Sequence, residues 1–358
     1  MSKNVLLISH FPPPYGGIAT WTKRVIEHGI PGYEIHFVNS STINGRDPVL
    51  SPKRSLITEL KRARSIYRNE KKFLKNKEID VVHDNIPCTL YGNLREIITA
   101  RIAKKHKVPF ILHCRCTVPV AVNSKFKRFI YKRLLKLCTG GVIVLNQKSY
   151  DFIKSLNPNV NVKVIPNFVS IEEIDEKPII NQEITKLSYV GGVIISKGCK
   201  LIMDVAPMFP NIYFELVGDV GPEMYELEKP NNVNFYGAIP PSQAKDYLKT
   251  TDGFLFLSKF WGEGFSNSLA EAMASGLPCI VTDWAANKDM IENKGGVVID
   301  IDSKEQLINA IKQISDKETR INMSKWNIQK VKDCYNAEVV INSYANFYDE
   351  IRNKKRGN

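Results

Sequence analysis

Residues 260–283 have the sequence FWGEGFSNSLAEAMASGLPCIVTD, which combines the signals of a turn, a helix and a strand. Its pattern predicts a turn, then a helix that ends at Gly276, and then a buried strand. Glu263 and Glu271 are eight positions apart, a little over two helical turns, so both carboxylates can face one cleft. Gly264 lets a backbone approach a ligand closely. The segment therefore predicts a turn and a helix start that face the same ligand.

The predicted helix start is a candidate anion-binding site. The first amides of a helix have no partner inside the helix, and they present a partial positive charge to a ligand. Ser266, Asn267 and Ser268 are all suitable N-caps for such a helix. We therefore predict that a short run of residues binds an anionic ligand here: Gly264, Phe265, Ser266 and Asn267.

The segment resembles the donor-site signature of retaining glycosyltransferases, in the large class typified by bacterial mannosyl- and glucosyltransferases. The shared features are a Glu, seven residues and a second Glu, with Gly-Phe after the first and E-A-M-A-x-G-x-P around the second. The resemblance implies an α/β chain of the GT-B fold, with two Rossmann-like domains whose parallel sheets face each other across a cleft. On the residues alone, an amphipathic helix with two solvated glutamates is the alternative.

The resemblance also implies a function. The chain is expected to move a sugar from a nucleotide-diphosphate sugar, a UDP- or GDP-sugar, to an acceptor, with retention at the anomeric carbon. We expect no metal ion, and no cofactor besides this co-substrate. By resemblance, Glu271 binds the ribose hydroxyls and Glu263 faces the donor sugar and orients it. The backbone around Gly237, Ala238 and Ile239 is expected to hold the nucleotide base.

Length and composition favour two domains of ordinary size. The chain has 358 residues, of which 43% are hydrophobic and 24% charged, so a disordered or collagen-like chain is excluded. We predict an acceptor-side domain over residues 1–168 and a nucleotide-sugar donor domain over residues 169–337. In the family the last helix, here about residues 338–358, packs back on the N-terminal domain.

Lys197 is the predicted electrostatic catalyst and a donor-binding residue. The family has Gly-Arg, a variable loop and Lys-Gly in this part of the donor domain, and its Arg and Lys neutralise the donor diphosphate. Here Lys197 matches the lysine, whereas Gly192 stands at the arginine position. Preorganised cations and helix-end amides stabilise the charge on a departing diphosphate. We expect Lys197 and the amides after Gly264 to do so, with Lys259 as a further candidate.

Strand and helix signals alternate through the N-terminal half, which favours a parallel sheet wrapped by helices. Ligands of such sheets bind beyond the carboxyl ends of the strands. His10, His83 and His113 lie at three predicted strand ends. By resemblance, His113 contacts the donor sugar and takes part in catalysis, and we assign His10, His83 and Arg115 to the acceptor side.

Gly16 and Gly17 follow the first predicted strand and precede a helix. A strand, a glycine-bearing loop and a helix form a turn that can approach a phosphate. The family also has a Gly-Gly loop at this point, near the donor phosphates and the acceptor. We therefore predict that Gly16 and Gly17 bind the donor.

The net charge of +13 is concentrated in one region. Between residues 53 and 136 there are 22 lysines and arginines against 6 aspartates and glutamates. Such asymmetry favours a polyanionic partner, either nucleic acid or an anionic membrane surface. No nucleic-acid recognition module is visible, so we expect the membrane surface and no nucleic acid.

Two predicted helices carry much of this charge, across Arg54–Lys75 and Lys125–Cys138. We expect their apolar stripes to pack on the sheet and their cationic faces to be free for anionic lipid. A charged face that is merely solvated is the alternative. The stripes are Leu56, Leu60, Ala63, Tyr67 and Leu74 in the first helix, and Phe126, Phe129, Ile130, Leu134 and Leu137 in the second.

Seven cysteines without a C-x-x-C pair favour reduced thiols, and no signal peptide or membrane-spanning run is visible. We therefore expect a cytoplasmic enzyme, peripheral on the inner face of the cell membrane. Its expected acceptor is a saccharide, lipid-linked, in cell-surface polysaccharide synthesis. Two alternatives stay open: a nucleotide-sugar epimerase, and a non-catalytic sugar-nucleotide-binding protein, which the glycine at position 192 would fit.

Overall fold

The computed structural model describes residues 3–13, 16–41 and 56–356. It divides into a first unit, residues 1–167 and 338–358, and a second unit, residues 168–337. Some predictions fall outside the described residues. These are the helix start at Arg54, the side chain of Leu56, the two residues before Gly16 in the Gly-Gly loop, and residues 357–358 of the last helix.

The first unit contains a parallel sheet of six strands, whose spatial order is β2-β1-β3-β4-β5-β6. The chain thus adds β2 on one side of β1 and the later strands on the other side. Most strand residues are fully buried, as expected of a parallel sheet that helices cover. The strands, numbered in chain order, are β1 (Lys3–Ser9), β2 (Tyr33–Asn39), β3 (Val81–Ile86), β4 (Phe110–Cys114), β5 (Gly141–Val144) and β6 (Val162–Val164).

Helices connect these strands, and several begin at a side-chain cap. Thr89, Ser124 and Asn146 accept hydrogen bonds from the amides three positions on, which satisfies an otherwise unpaired donor. The helices, again in chain order, are α1 (Gly17–His28), α2 (Leu56–Asn76), α3 (Leu90–Lys105), α4 (Val118–Ala121), α5 (Lys125–Leu135), α6 (Gln147–Leu156) and, at the end of the chain, α14 (Ala337–Arg356).

The last helix packs on the first unit although it follows the second in sequence. Trp21 Nε1 of α1 donates a hydrogen bond of 3.2 Å to the hydroxyl of Tyr344. Five residues further along α14, the ammonium group of Lys3 pairs with Asp349 over 2.6 Å. These contacts join the start of the chain to its end.

The second unit repeats the architecture with spatial strand order β12-β11-β10-β7-β8-β9. The strands are β7 (Lys186–Val190), β8 (Tyr213–Val217), β9 (Val233–Gly237), β10 (Gly253–Phe256), β11 (Cys279–Thr282) and β12 (Gly296–Ile299). The helices are α7 (Cys199–Val205), α8 (Pro222–Tyr225), α9 (Pro241–Leu248), α10 (Asn267–Ala274), α11 (Asn287–Ile291), α12 (Lys304–Ser315) and α13 (Lys317–Lys330).

Each sheet has a point where the strand order reverses, between β1 and β3 in the first unit and between β7 and β10 in the second. Loops on the two sides of such a point diverge and leave a crevice at the carboxyl ends of the strands, where ligands of open α/β sheets bind. The α/β class with two Rossmann-like parallel sheets is therefore confirmed.

The prediction for the apolar stripes of the two basic helices is wrong in part. Leu60 of α2 is 70% exposed, and Phe126 and Phe129 of α5 are 61% and 50% exposed. The buried face of α2 instead carries Ile66 and Glu70. Both helices have apolar residues around more than one face, so packing rather than periodicity selects the buried one.

Among the residues that the structure describes, no helix is both long and apolar enough to cross a bilayer.

Candidate active site

Two loops of the second unit meet at the switch point between β7 and β10. The loop after β7 ends in a short 3-10 turn, Ile195–Lys197, and the loop after β10 carries Glu263. The Nζ atom of Lys197 contacts the carboxylate of Glu263, and both side chains are largely buried. The structure thus brings together two predicted site residues that are 66 positions apart.

Close backbone packing sets the position of Lys197. The amide of Lys259 donates a 2.9 Å hydrogen bond to the carbonyl of Ser196. Gly198 has a φ of +83°, and a Cβ atom there would lie 2.3 Å from the carbonyl oxygen of Leu257. Glycine is required at position 198 for both reasons, and the loop after β7 therefore lies directly on the end of β10.

Side chains at the end of β11 hold the loop after β10. Thr282 Oγ1 donates a 2.6 Å hydrogen bond to the carbonyl of Ser258, and Trp284 Nε1 donates one of 2.8 Å to the carbonyl of Phe260. The ring of Phe260 in turn lies 4.8 Å from Lys197 Nζ. Glu263 and the aromatic partner of Lys197 are thus fixed by the neighbouring strand.

Burial and charge act on Lys197 in opposite directions. Burial lowers the pKa of its ammonium group to about 8, whereas the contacting carboxylate of Glu263 and the π face of Phe260 favour the charged form. A bound phosphate would add a further anion to the same group. The site can therefore present a partly dehydrated cation to a negatively charged ligand.

The start of α10 follows the same loop. Ser266 is the N-cap, and its Oγ accepts a hydrogen bond of 3.2 Å from the amide of Leu269. Phe265 packs edge-on against Tyr335 with ring centroids 5.1 Å apart, so only its backbone could face a ligand. Asn267 and Glu271 are partly exposed and are one helical turn apart, which places them on one face of α10.

The remaining donor candidates of the second unit are backbone segments. Gly237 ends β9 with a φ of +87°, and its carbonyl accepts a 2.9 Å hydrogen bond from the amide of Gly218. Ala238 is exposed and Ile239 is partly exposed. Gly192 is exposed, and a Cβ atom built on it would have no atom within 4 Å. The position where the family has arginine therefore has room for a side chain.

Lys259, the further candidate for the diphosphate, is engaged elsewhere. Its ammonium group pairs with the carboxylate of Asp302. The side chain of Lys259 thus contacts Asp302, whereas that of Lys197 contacts Glu263 at the switch point between β7 and β10.

In the first unit, His83, His113 and Arg115 form a buried hydrogen-bonded row. His83 Nε2 lies 3.0 Å from His113 Nδ1, and His113 Nε2 lies 3.1 Å from Arg115 Nη1. His83 Nδ1 also contacts the hydroxyl of Tyr348 on α14. Burial, followed by the charge of Arg115, lowers the pKa of His83 to about 3, and the same causes lower the pKa of His113 well below its usual value.

This arrangement differs from the predicted roles of two histidines. Neither His83 nor His113 has exposed surface, and both ring nitrogens of each are used inside the unit. A direct contact of His113 with a sugar, or of His83 with an acceptor, therefore does not fit this packing. Arg115, which directly follows β4, is the member of the row that retains some exposure, 6%.

His10, Gly16 and Gly17 lie in and after the loop that follows β1. His10 Nε2 accepts a 2.8 Å hydrogen bond from Arg62 Nη2, so Arg62 is buried instead of contributing to a cationic face. Gly16 and Gly17 are exposed, and Cβ atoms built on them would meet no atom within 4 Å.

Sequence reasoning missed three residues that surround Arg115. They are Trp21 of α1, Asn167, which is the last residue before the second unit, and Tyr344 of α14. They come from distant parts of the chain, and no local pattern connects them. Their aromatic and amide character would fit an ordinary core equally well.

A family model supports an assignment of the second unit. Residues 170–330 match the model described as "Glycosyl transferases group 1". This match covers almost all of residues 168–337, the second unit.

Curated relatives match most of the chain. A UDP-Gal:alpha-D-GlcNAc-diphosphoundecaprenol alpha-1,3-galactosyltransferase of Escherichia coli is 26% identical over 86% of this chain and 84% of its own length. An N-acetyl-alpha-D-glucosaminyl L-malate synthase of Bacillus anthracis is 27% identical over 91% of this chain and 92% of its own.

Solved structures share the fold. The sucrose-phosphate synthase of Thermosynechococcus elongatus superimposes with a TM-score of 0.76 and 15% identity, covering 98% of this chain and 99% of that one. Residues 170–330 of the second unit thus match the group 1 glycosyl transferases, the relatives support a glycosyltransferase, and the chain shares the GT-B fold of the solved structures.

Proposed function

We propose that the protein transfers a sugar from a UDP- or GDP-sugar to an acceptor, with retention at the anomeric carbon. The observation that carries this proposal is the contact between Lys197 and Glu263 at the switch point of the second unit, beside the start of α10. A cation, a set of helix-end amides and a carboxylate at one point suit a diphosphate that is linked to a sugar.

The proposed mechanism uses charge stabilisation. As the bond from the anomeric carbon to the diphosphate breaks, negative charge grows on the leaving oxygens. Lys197 and the amides that follow Gly264 would stabilise this charge without a metal ion, and Glu263 would orient the sugar. Glu271 would bind the ribose hydroxyls, and the backbone of residues 237–239 the base. The donor contacts of Gly16 and Gly17 stay predictions from the resemblance, whereas no sugar contact is proposed for His113, whose two ring nitrogens are used inside the first unit.

We propose an acceptor that is a saccharide carried on a lipid, used in cell-surface polysaccharide synthesis. The name of the E. coli relative includes a diphosphoundecaprenol acceptor, and the name of the B. anthracis relative includes L-malate. The diphosphate of the first name and the malate of the second are both anions. These relatives bear the names of a transferase and a synthase, which does not favour an epimerase or a non-catalytic binding protein.

We also propose a peripheral position on the anionic inner face of the cell membrane. Exposed apolar side chains lie in the first halves of three helices, of which α3 packs against both α2 and α5. In a parallel sheet the helices run back from the carboxyl edge, so these first halves lie at one level. The exposed apolar residues are Ile57, Leu60, Tyr91, Leu94, Ile98, Phe126 and Phe129.

Basic side chains surround this apolar surface. Lys61 and Arg64 of α2 and Lys125, Arg128 and Lys132 of α5 are exposed. Apolar residues among lysines and arginines are typical of surfaces that insert into the headgroup region of anionic bilayers. These exposed apolar residues support a membrane contact over the alternative, a merely solvated charged face.

The function is tested by screening UDP- and GDP-sugars for a rise in melting temperature, since a ligand of the folded state stabilises it. The sugar that binds is then incubated with lipid-linked saccharides, with and without a chelator, and the anomeric configuration of the product is read by NMR. Inversion at the anomeric carbon would contradict retention, and loss of activity with the chelator would contradict metal independence. Glu271→Ala should weaken donor binding; unchanged binding would remove its ribose contact.

A further inference from the structure

Arg115 is a buried cation without an acidic partner. Its guanidinium lies 4.8 Å from the ring of Trp21, and Nη2 donates a 2.6 Å hydrogen bond to Asn167 Oδ1. Tyr344 and His113 are its other hydrogen-bond partners. Within residues 3–13, 16–41 and 56–356, no carboxylate pairs with it. Burying an uncompensated charge costs several kcal/mol, so buried charges are normally paired.

The direction of every hydrogen bond in the row behind Arg115 follows from its chemistry. A guanidinium only donates, so His113 Nε2 must accept, and the proton of a neutral His113 must be on Nδ1. His113 therefore donates to His83 Nε2, which leaves the proton of His83 on Nδ1, from where it is donated to the hydroxyl of Tyr348. Each donor in the row thus points away from Arg115 and towards α14. These hydrogen bonds fix the plane of the guanidinium.

One donor of Arg115 stays unused. Its Nε–H is buried and has no hydrogen-bond partner. The residue directly follows β4, and the carboxyl edge of such a sheet is where ligands bind. An oriented guanidinium with uncompensated charge, an unused donor and a remaining exposure of 6% at this edge has the features of an anion site.

We propose that Arg115 binds a phosphate group of the acceptor substrate. This inference rests on the proposed function, in which Lys197 binds the donor diphosphate and Arg115 belongs to the acceptor side, so that an anion at Arg115 is assigned to the acceptor. Arginine binds phosphate through charge-assisted N–H donors that lie in the plane of the guanidinium, so His113, His83 and Tyr348 act as positioning residues. They keep the guanidinium in one plane and do not transfer protons.

The test is a calorimetric titration of inorganic pyrophosphate into protein saturated with UDP. UDP occupies the donor site, so pyrophosphate reports on a second anion site. We expect the wild type to bind one pyrophosphate and Arg115→Gln to bind it at least about tenfold more weakly, because the positive charge and its charge-assisted hydrogen bond are lost. Arg101→Gln, which removes one positive charge from an exposed position on α3, is the matched control and should bind as the wild type does.

Each outcome has a distinct meaning. Equal pyrophosphate affinity in Arg115→Gln and wild type, or no second binding event in the wild type, would overturn the proposal. Loss of UDP affinity in Arg115→Gln would assign the phosphate to the donor and overturn it as well. Failure of the wild type to bind UDP would contradict the proposed function, and pyrophosphate binding to free protein would then still report on Arg115.

Two further variants keep the proposal testable if Arg115→Gln does not fold. Arg115→Lys retains the charge and loses the planar pair of donors, so its pyrophosphate affinity should fall between those of the wild type and a neutral variant. Tyr348→Phe removes the terminal acceptor of the row and should weaken pyrophosphate binding while UDP affinity is unchanged. Wild-type affinity in both variants would overturn the proposal.

Discussion

In the second unit, the ammonium group of Lys197 contacts the carboxylate of Glu263 and lies over the ring of Phe260. A diphosphate that binds at this point would compete with Glu263 for the lysine. The carboxylate released from Lys197 could then accept a hydrogen bond from a sugar hydroxyl. The pair therefore offers a way to couple binding of the phosphates to positioning of the sugar.

Lys197→Ala should reduce turnover much more than donor binding. The full negative charge on the leaving diphosphate exists only as the glycosidic bond breaks, so loss of the cation mainly raises the barrier. Removal of one preorganised group that stabilises a developing anion typically lowers kcat by about 100- to 1,000-fold. The measurement is kcat for transfer beside the Kd of UDP by calorimetry.

Lys259→Ala is the matched control, since this lysine pairs with Asp302, and it should change kcat little. Equal losses of kcat and of UDP affinity in Lys197→Ala would contradict stabilisation of the departing group.

Gly192→Arg should strengthen donor binding. A Cβ atom at position 192 meets nothing within 4 Å, so the fold can accept the side chain. A hydrogen bond to a charged group contributes about 1.5–3 kcal/mol, which corresponds to roughly tenfold or more in the Kd of UDP. Calorimetry with UDP measures this change.

Gly192→Ala adds the Cβ atom without the charge and should bind UDP as the wild type does. Gly191→Arg provides a contrast, because its φ is +149° and its Cβ atom would lie 2.6 Å from Tyr189 Oη, so this variant should lose stability. An unchanged Kd in Gly192→Arg would show that a side chain at this position does not reach the diphosphate.

Phe129→Ser should weaken binding to vesicles that contain anionic lipid. Phe129 is 50% exposed on α5, and Arg133 lies over its ring at 4.4 Å. Burial of a phenylalanine side chain contributes about 1.5–3 kcal/mol, so its loss should weaken partitioning by about tenfold. Co-sedimentation with vesicles at increasing salt measures both the apolar and the electrostatic contribution.

Ile179→Ser is the control for apolar exposure alone, because Ile179 is 87% exposed in the second unit. Binding of the wild type should fade as salt screens the charges. No binding to anionic vesicles, or binding that salt does not affect, would exclude this surface as a membrane contact.

The fold could be predicted because its signals are local. Strands of three to seven residues alternate with helical patterns, and the segment around α10 contains its own turn, cap and helix stop. The pairing of Lys197 with Glu263 has no local signal, and only the resemblance placed the two in one site. The contacts of Arg115 could not be predicted from sequence, because its partners come from α1, from residue 167 and from α14, which are far apart in the chain.

The misassigned face of α2 has a physical cause as well. Arg62 belongs to the predicted cationic face, yet it is buried, as is Glu70, and Leu60 is exposed. Arg62 donates to the carbonyl of Ser40 and to His10, contacts that periodicity does not contain. Tertiary partners can thus draw a charged residue inward and leave a leucine outside.

Glu70→Gln should remove part of the pH dependence of stability. Burial, followed by the nearby Glu96, raises the pKa of Glu70 from 4.5 to about 9, and neither of its carboxylate oxygens has a hydrogen-bond partner among the described residues. The folded protein therefore keeps a proton that the unfolded chain releases above its ordinary pKa. This contribution to stability is complete below about pH 4.5 and is lost as the pH rises through about 9.

In the wild type the free energy of unfolding should accordingly fall by up to about 1.4 kcal/mol per pH unit between these limits because of this group. The amide of glutamine has the same shape and binds no proton, so the advantage of Glu70→Gln over the wild type should grow with pH. Urea unfolding followed by circular dichroism at pH 6, 7, 8 and 9 measures the difference. Glu78→Gln, at an exposed position just after α2, should stay parallel to the wild type. A constant difference between Glu70→Gln and the wild type across this range would show that Glu70 is already ionised in the folded protein.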